Sequence, residues 1–213
     1  MAARRARVLR DQQAGEHPQA LRRHLIAVTQ QLLAAHGLTG LTTRGIAREA
    51  QVSDGVLYNH FADKDELIVA ALAEQVGDLT ARFLADCPTP GAQDLRTGLT
   101  ALVRLSRQFQ AESLPLLSGL LSRPDLMHAV LNRVHTGDRA AQLLWVRIQE
   151  YLAGEQELGT VAAHVDPHVV THVIFGTGHL QVLADVVAPG LTEVPTGDPL
   201  DGVVDFLVRA CEP

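Results

Sequence analysis

The chain has little cysteine, few aromatic residues, almost no lysine and no long apolar run. Its 213 residues hold two cysteines, Cys87 and Cys211, at no motif spacing. A disulfide framework is not indicated, and two buried or inert thiols of a reduced, intracellular protein are expected. No run of about 18 apolar residues occurs, and the N-terminus carries arginines without an apolar h-region. Neither a membrane partner nor a secretory signal is therefore expected, and a cytoplasmic protein is. Gly-rich phosphate loops, GxSxG, HExxH and Cys–His pairings are absent, so nothing localises catalysis. Neither an enzyme nor a cofactor is expected. Strand-like alternation does not persist, and there is no internal repeat or low-complexity segment.

What is present is an uneven charge. The formal net charge is −6, from 18 Lys+Arg against 24 Asp+Glu, which as a single number disfavours a polyanionic partner. Residues 1–73 carry 9 basic and 7 acidic side chains, a net of +2. Residues 74–213 carry 9 and 17, a net of −8. Such asymmetry points to separate tasks, with the basic end facing a polyanion or simply forming a solvated tail. Only Lys64 is a lysine, so arginine preference is weak evidence for phosphate recognition.

Apolar residues recur at helical spacing along most of the chain. Leu21, Leu25, Val28, Leu32 and Ala35 mark one face of a first helix, with Pro18 in its opening turn and Gly37 at its end. Thr42 suits the N-cap of a short second helix through Ile46, Ala47 and Ala50, and Ser53 that of a third through about His60. Asp63 and Glu66 have the spacing of a capping box for a long fourth helix from Leu67 to about Asp86. After the break at Cys87-Pro88-Thr89-Pro90-Gly91, helices are expected over about 92–112, 115–122, 124–153, 167–187 and 199–210. The 124–153 helix is open to a split or kink at His135–Asp138, and 188–198 reads as a loop.

The informative stretch runs from Leu41 to Leu67. Two short helices joined by a four-residue turn, the second opened by a Ser cap, make a helix-turn-helix pattern. Ala47 is small where the helices approach, while Val52 and Leu57 can tie the unit to the first helix. Asp54, Gly55, Val56, Tyr58, Asn59 and His60 are left for the outward face.

These residues resemble the TetR family of bacterial transcriptional regulators, through Leu41-Thr42-Thr43-Arg44, Ile46-Ala47, Val52-Ser53, Leu57-Tyr58-Asn59-His60-Phe61 and Lys64-Asp65-Glu66-Leu67. The resemblance covers about residues 19–73. It departs at Gln51, where the family usually has Gly; a left-handed backbone there costs a non-glycine residue about 1 kcal/mol. The implied fold is all-α. A basic arm over 1–18 precedes a three-helix DNA-binding domain over 19–66. A helical ligand-binding and dimerisation domain follows over 67–213, with the fourth helix as connector, about nine helices in all. The implied function is a ligand-responsive repressor that dimerises on palindromic double-stranded operator DNA and is released by a small, largely apolar effector.

Resemblance and chemistry together assign roles. Thr43, Tyr58, Lys64 and His60 suit the phosphate backbone, with Lys64 at a helix N-terminus that already favours an anion. Ser53 belongs to the same DNA-facing set. Arg44 can fork onto guanine, and Asp54, Gly55, Val56 and Asn59 face the bases. For Asp54 a bland role in the first helical turn fits equally well, and Gly55 can be mere tolerance in a short helix. Arg4, Arg5, Arg7 and Arg10 suit a minor-groove arm or a solubilising tail, and Arg22 and Arg23 are better placed for phosphate.

The 167–187 helix is apolar almost all round and so must be buried on every side, one face against a partner copy. Val173, Gly176 and Leu180, with Val204, Leu207 and Val208 on the last helix, are the expected dimer residues. For the effector, Phe109, Leu116, Leu120, Trp145, Gln149, His172 and Phe175 are the candidates, though core packing explains any one of them equally simply. His164, His168, His172 and His179 open an alternative, a metal- or pH-responsive regulator. A third reading is a helical interaction module without DNA binding.

Overall fold

The computed structural model describes residues 18–136, 140–187 and 199–213, with side chains outside 135–143 and 187–199. The expected arm, the 188–198 loop and the break at Gly137-Asp138 lie outside the described residues. Among the described residues there are nine helices and no strand. They are α1 (Pro18–His36), α2 (Thr43–Glu49), α3 (Asp54–Tyr58), α4 (Lys64–Asp86) and α5 (Leu95–Ser118), then α6 (Pro124–Thr136), α7 (Ala140–Glu157), α8 (Pro167–Val187) and α9 (Pro199–Cys211). The chain forms two compact units. One holds the residues up to Gln75 together with Gly119–Arg133; the other holds Val76–Ser118 and the chain from Val134 onward. The expected domains are 1–18, 19–66 and 67–213; the first compact unit also includes Gly119–Arg133.

In the first unit, local signals fix the helix ends. Gly37 ends α1 with φ +66°, its N–H donating to Leu33 O at 2.9 Å. Thr42 caps α2, Oγ1 accepting from Gly45 N at 3.0 Å. Asp63 Oδ1 accepts from Glu66 N at 2.8 Å, but the Glu66 carboxylate reaches Ala62 N at 2.7 Å, one residue before the usual capping-box partner. Leu25, Ile46, Ala47, Leu57, Phe61 and Leu67 are buried together in this unit's interior. Among the 119–133 residues, Arg123 forms ion pairs of 2.9 Å with both Asp65, near the start of α4, and Asp125.

The second unit is built on the crossing of α5 and α8. Gly178 makes it close, since a Cβ there would lie 2.8 Å from Gln110 Nε2 and 3.5 Å from the Arg107 Cα. Gln110 is buried and saturated. Its Nε2 donates to Phe175 O (3.0 Å) and Ser106 Oγ (3.2 Å), and its Oε1 accepts from His179 Nδ1 (3.0 Å). Helix α5 is capped by Asp94, which accepts from the Thr97 amide and hydroxyl; these bonds hold its carboxyl below the usual range. At the end of α7 the buried Glu155 accepts from Gly91 N (2.9 Å) and the Thr160 hydroxyl, pinning the turn after α4. Tyr151 is fully buried, its hydroxyl without a hydrogen-bond partner among the described residues; a Cβ at Gly98 would overlap that oxygen.

One expectation changes and others are refined. Pro115 does not start a helix: α5 runs through it to Ser118, because proline removes one bond in the preceding turn and only three residues follow. The 124–153 stretch, left open to a split at His135–Asp138, is two elements, α6 and α7. Helix α8 is long and apolar enough to cross a membrane by length and composition, although His168, Thr171, His172, Thr177 and His179 interrupt its apolar run. Within one protomer it is buried along one face only. Val170, Ile174, Phe175 and Val182 enter the core, while Val169, Leu180, Leu183 and Val186 remain exposed.

Candidate nucleic-acid interface and effector site

The turn between α2 and α3 is made by a residue in left-handed space. Gln51 has φ +56°, the only positive φ among the described non-glycine residues. Its N–H donates to Arg48 O (3.1 Å), and the next amide, of Val52, donates to Ala47 O (2.9 Å). The geometry that glycine would supply is therefore kept. Leu57 and Ala47 are buried and Val52 is half-buried, which seats α3 in the unit.

Burial of Leu57 turns the rest of α3 outward. Asp54, Gly55 and Asn59 are exposed, Val56 and His60 half-buried, and Tyr58 is 54% exposed. Ser53 stands at the N-cap of α3 but makes no side-chain capping bond. At the start of α2, Thr43 is half-buried and Arg44 exposed. Lys64 joins this set, because its Nζ donates to Leu41 O at 3.2 Å, two residues before Thr43. Two features escaped the sequence. The Arg22 guanidinium lies 4.7 Å over the Phe61 ring, and His24 Nε2 lies 3.2 Å from Ala50 O at the end of α2. Both bonds link residues far apart in sequence, where no local pattern points to them.

In the second unit, four of the expected effector residues come together. Trp145 stacks on Phe175 (4.8 Å, 11°) and meets His172 edge-on (4.7 Å). Phe175 continues to Phe83 (6.3 Å), and Phe83 to Phe109 (6.2 Å, 81°). Phe83, which the sequence reading left inside a connector, is the link; the scarcity of aromatics was the signal that could have found it. Gln149 is half-buried and bonded to His168 Nδ1 (2.8 Å). Leu116 is half-buried in the last turn of α5, outside the aromatic set. Leu120 is buried and falls in the first unit.

Beside the ladder lies a groove between α4 and α5, floored by Leu79, Phe83, Leu105 and Phe109. Arg82, Asp86, Gln108 and Glu112 form its rim. Arg82 and Glu112 pair across it at 2.7 Å. Bonds from Gln108 and Arg82 hold the Glu112 carboxyl below the usual range.

The dimer and metal expectations divide. Gly176 and Leu180 are exposed and Val173 is half-buried, but Val204, Leu207 and Val208 are buried in the protomer's own core. The apolar stripe of α9 seals that core, and its exposed large apolar residue is Phe206. The four histidines also separate. His168 and His172 are neighbours (4.9 Å), His179 turns to Gln110, and His164 is exposed ahead of α8. Among the described residues no three metal-ligating side chains gather.

Residues 25–71 match the family model for bacterial regulatory proteins, tetR family. No curated protein matches the sequence significantly. Among solved structures, a protein of unknown function from Rhodococcus sp. RHA1 shares the fold with 24% identity and a TM-score of 0.68, over 91% of this chain and 96% of its own. A TetR-family protein from Vibrio parahaemolyticus, named a putative transcriptional regulator, has 16% identity and a TM-score of 0.61 over 91% and 99%. The Bacillus subtilis transcriptional regulator FadR, solved with stearoyl-CoA, has 19% identity and a TM-score of 0.60 over 89% and 98%. The structures establish a shared fold, and the family model a tetR-family N-terminal domain over residues 25–71.

Proposed function

We propose that the chain is a repressor that binds palindromic operator DNA as a homodimer and is released when a small molecule occupies the second unit. The observation that carries this reading is the outward face of α3. A five-residue helix that buries Leu57 and leaves Tyr58 54% exposed among Asp54, Gly55 and Asn59 has no use for that ring in its own core. Arg44 and Lys64 flank the same face. Thr43, Ser53, Tyr58, His60 and Lys64 hold phosphates, and Arg44, Asp54, Gly55, Val56 and Asn59 meet base edges.

One such head spans few base pairs, so two are needed, about one helical turn or a multiple of it apart (roughly 34 Å). The surface that supports pairing is the exposed apolar face of α8, with Val169, Leu180, Leu183 and Val186, together with Phe206 of α9. The solved FadR neighbour binds an acyl-CoA, which supports a regulated second unit without fixing the effector here.

The test is selection of an operator from random duplex DNA, followed by titration of variants. Arg44→Ala is expected to relax selectivity at one base pair, by about 1–3 kcal/mol. Lys64→Ala is expected to weaken all sequences alike. Wild-type binding by both variants would contradict the assignment.

A further inference from the structure

Of the ten histidines, His168 and His172 are the only two that stand four residues apart within one described helix. Both are exposed on α8, in a mostly apolar segment. Exposed imidazoles are ordinarily free to turn, yet each of these is held by its Nδ1. His172 Nδ1 lies 2.8 Å from the His168 backbone carbonyl. A carbonyl oxygen only accepts, so this Nδ1 carries the hydrogen and Nε2 keeps the bare lone pair. His168 Nδ1 lies 2.8 Å from the side-chain nitrogen of Gln149, on α7. Rotating that amide about its last bond brings its oxygen onto Nδ1–H and frees the Nε2 lone pair of His168 in the same way. Trp145 meets the His172 ring edge-on at 4.7 Å and limits its rotation further.

We propose that His168 and His172 chelate a divalent transition-metal ion through their Nε2 atoms, with water in the remaining positions. A metal-bound imidazole characteristically donates its second N–H to a carbonyl or carboxylate, which fixes the ring and its tautomer. That outer shell is present here, in the His168 carbonyl and the Gln149 amide. The spacing agrees. Metal–nitrogen bonds of about 2.0–2.1 Å put the ion about 3.2 Å from each ring centre, so ligands about 90–110° apart hold the centres about 4.5–5.2 Å from one another. The two ring centres stand 4.9 Å apart. Imidazole ligands suit Cu²⁺, Ni²⁺ and Zn²⁺ over Mg²⁺ or Ca²⁺, with Cu²⁺ the tightest. Among the described residues no third ligating side chain joins the pair, so the site is bidentate and leaves the ion open to water. Tetragonal Cu²⁺ accepts that arrangement better than a closed tetrahedral Zn²⁺ site would. The site is independent of the reading of the chain as a repressor.

Trp145 is the only tryptophan and lies against His172, so a paramagnetic ion at the pair quenches its emission. The full chain, without an affinity tag or DNA, is titrated with Cu²⁺ in a non-coordinating buffer at neutral pH. The expected result is saturable quenching at one ion per chain, with an electron paramagnetic resonance spectrum that shows two imidazole nitrogens. Ni²⁺ and Zn²⁺ compete for the same site, more weakly than Cu²⁺. His168→Ala and His172→Ala each weaken Cu²⁺ by at least about tenfold, with an unchanged circular dichroism spectrum, whereas His164→Ala leaves the affinity as it was. The nitrogen count is read on the wild-type chain and does not depend on the variants folding. Unsaturable quenching, a spectrum with fewer than two imidazole nitrogens, or wild-type affinity in either the His168 or the His172 variant overturns the proposal.

Discussion

Gln51 sits at φ +56°, where glycine is the favoured residue, and the turn holds its shape because the amides of Gln51 and Val52 both find carbonyls. Gln51→Gly is therefore expected to raise the stability of the head by up to about 1 kcal/mol, read as a higher thermal midpoint. Gln51→Val, β-branched, should lower it. A second residue-scale consequence concerns protons. Burial pushes the Cys87 and Cys211 thiols and the Tyr151 phenol upward, with Glu155 adding to the effect on Tyr151. Their neutral forms are held in the folded state, while the unfolded chain releases the protons at ordinary values. The stabilisation is fully present below roughly pH 8.5 and is lost as pH rises beyond it. Urea midpoints measured between neutral and alkaline pH should fall along that course, and a flat profile would contradict it.

At the scale of elements, α8 and α9 look alike in sequence and behave differently. Both carry apolar residues at helical spacing, and periodicity alone cannot say whether a stripe meets its own core or a partner. The structure buries Leu207 to 1% and leaves Leu180 67% exposed. Leu207→Ala is expected to cost about 2–5 kcal/mol of folding stability. Leu180→Arg should leave the fold intact and shift sedimentation from dimer toward monomer. If Leu180→Arg stays dimeric, α8 is not the pairing surface. The same contrast marks how much was legible. Caps and breakers are local chemistry, so Thr42, Asp63, Gly37, Pro124 and Pro167 gave most helix starts and ends. Pro115 misled because a proline near a helix end and one at a helix start look alike. The turn at Gln51 and the outward face of α3 could be read because helix-turn-helix spacing is compact. The aromatic ladder could be read only in part, since Phe83 meets its partners across helices. Gly119–Arg133 falls in the first unit, where Arg123 reaches Asp65, 58 residues away, and no local pattern encodes that contact.

For the whole molecule, the question is how a chain of net charge −6 approaches DNA. Its first 73 residues carry +2 and the remainder −8. On the proposed function, an acidic body is expected to disfavour non-specific association with the duplex. In the proposed function the exposed face of α3, with Arg44 and Lys64 beside it, makes the contacts. The most direct measurement is the affinity for selected operator as a function of salt concentration. Log affinity should fall linearly with log salt, with a slope of about −0.9 per phosphate contacted, and the slope should shrink by about 1 for each Lys64 removed. Salt-independent binding, or a slope that Lys64→Ala leaves unchanged, would contradict the account.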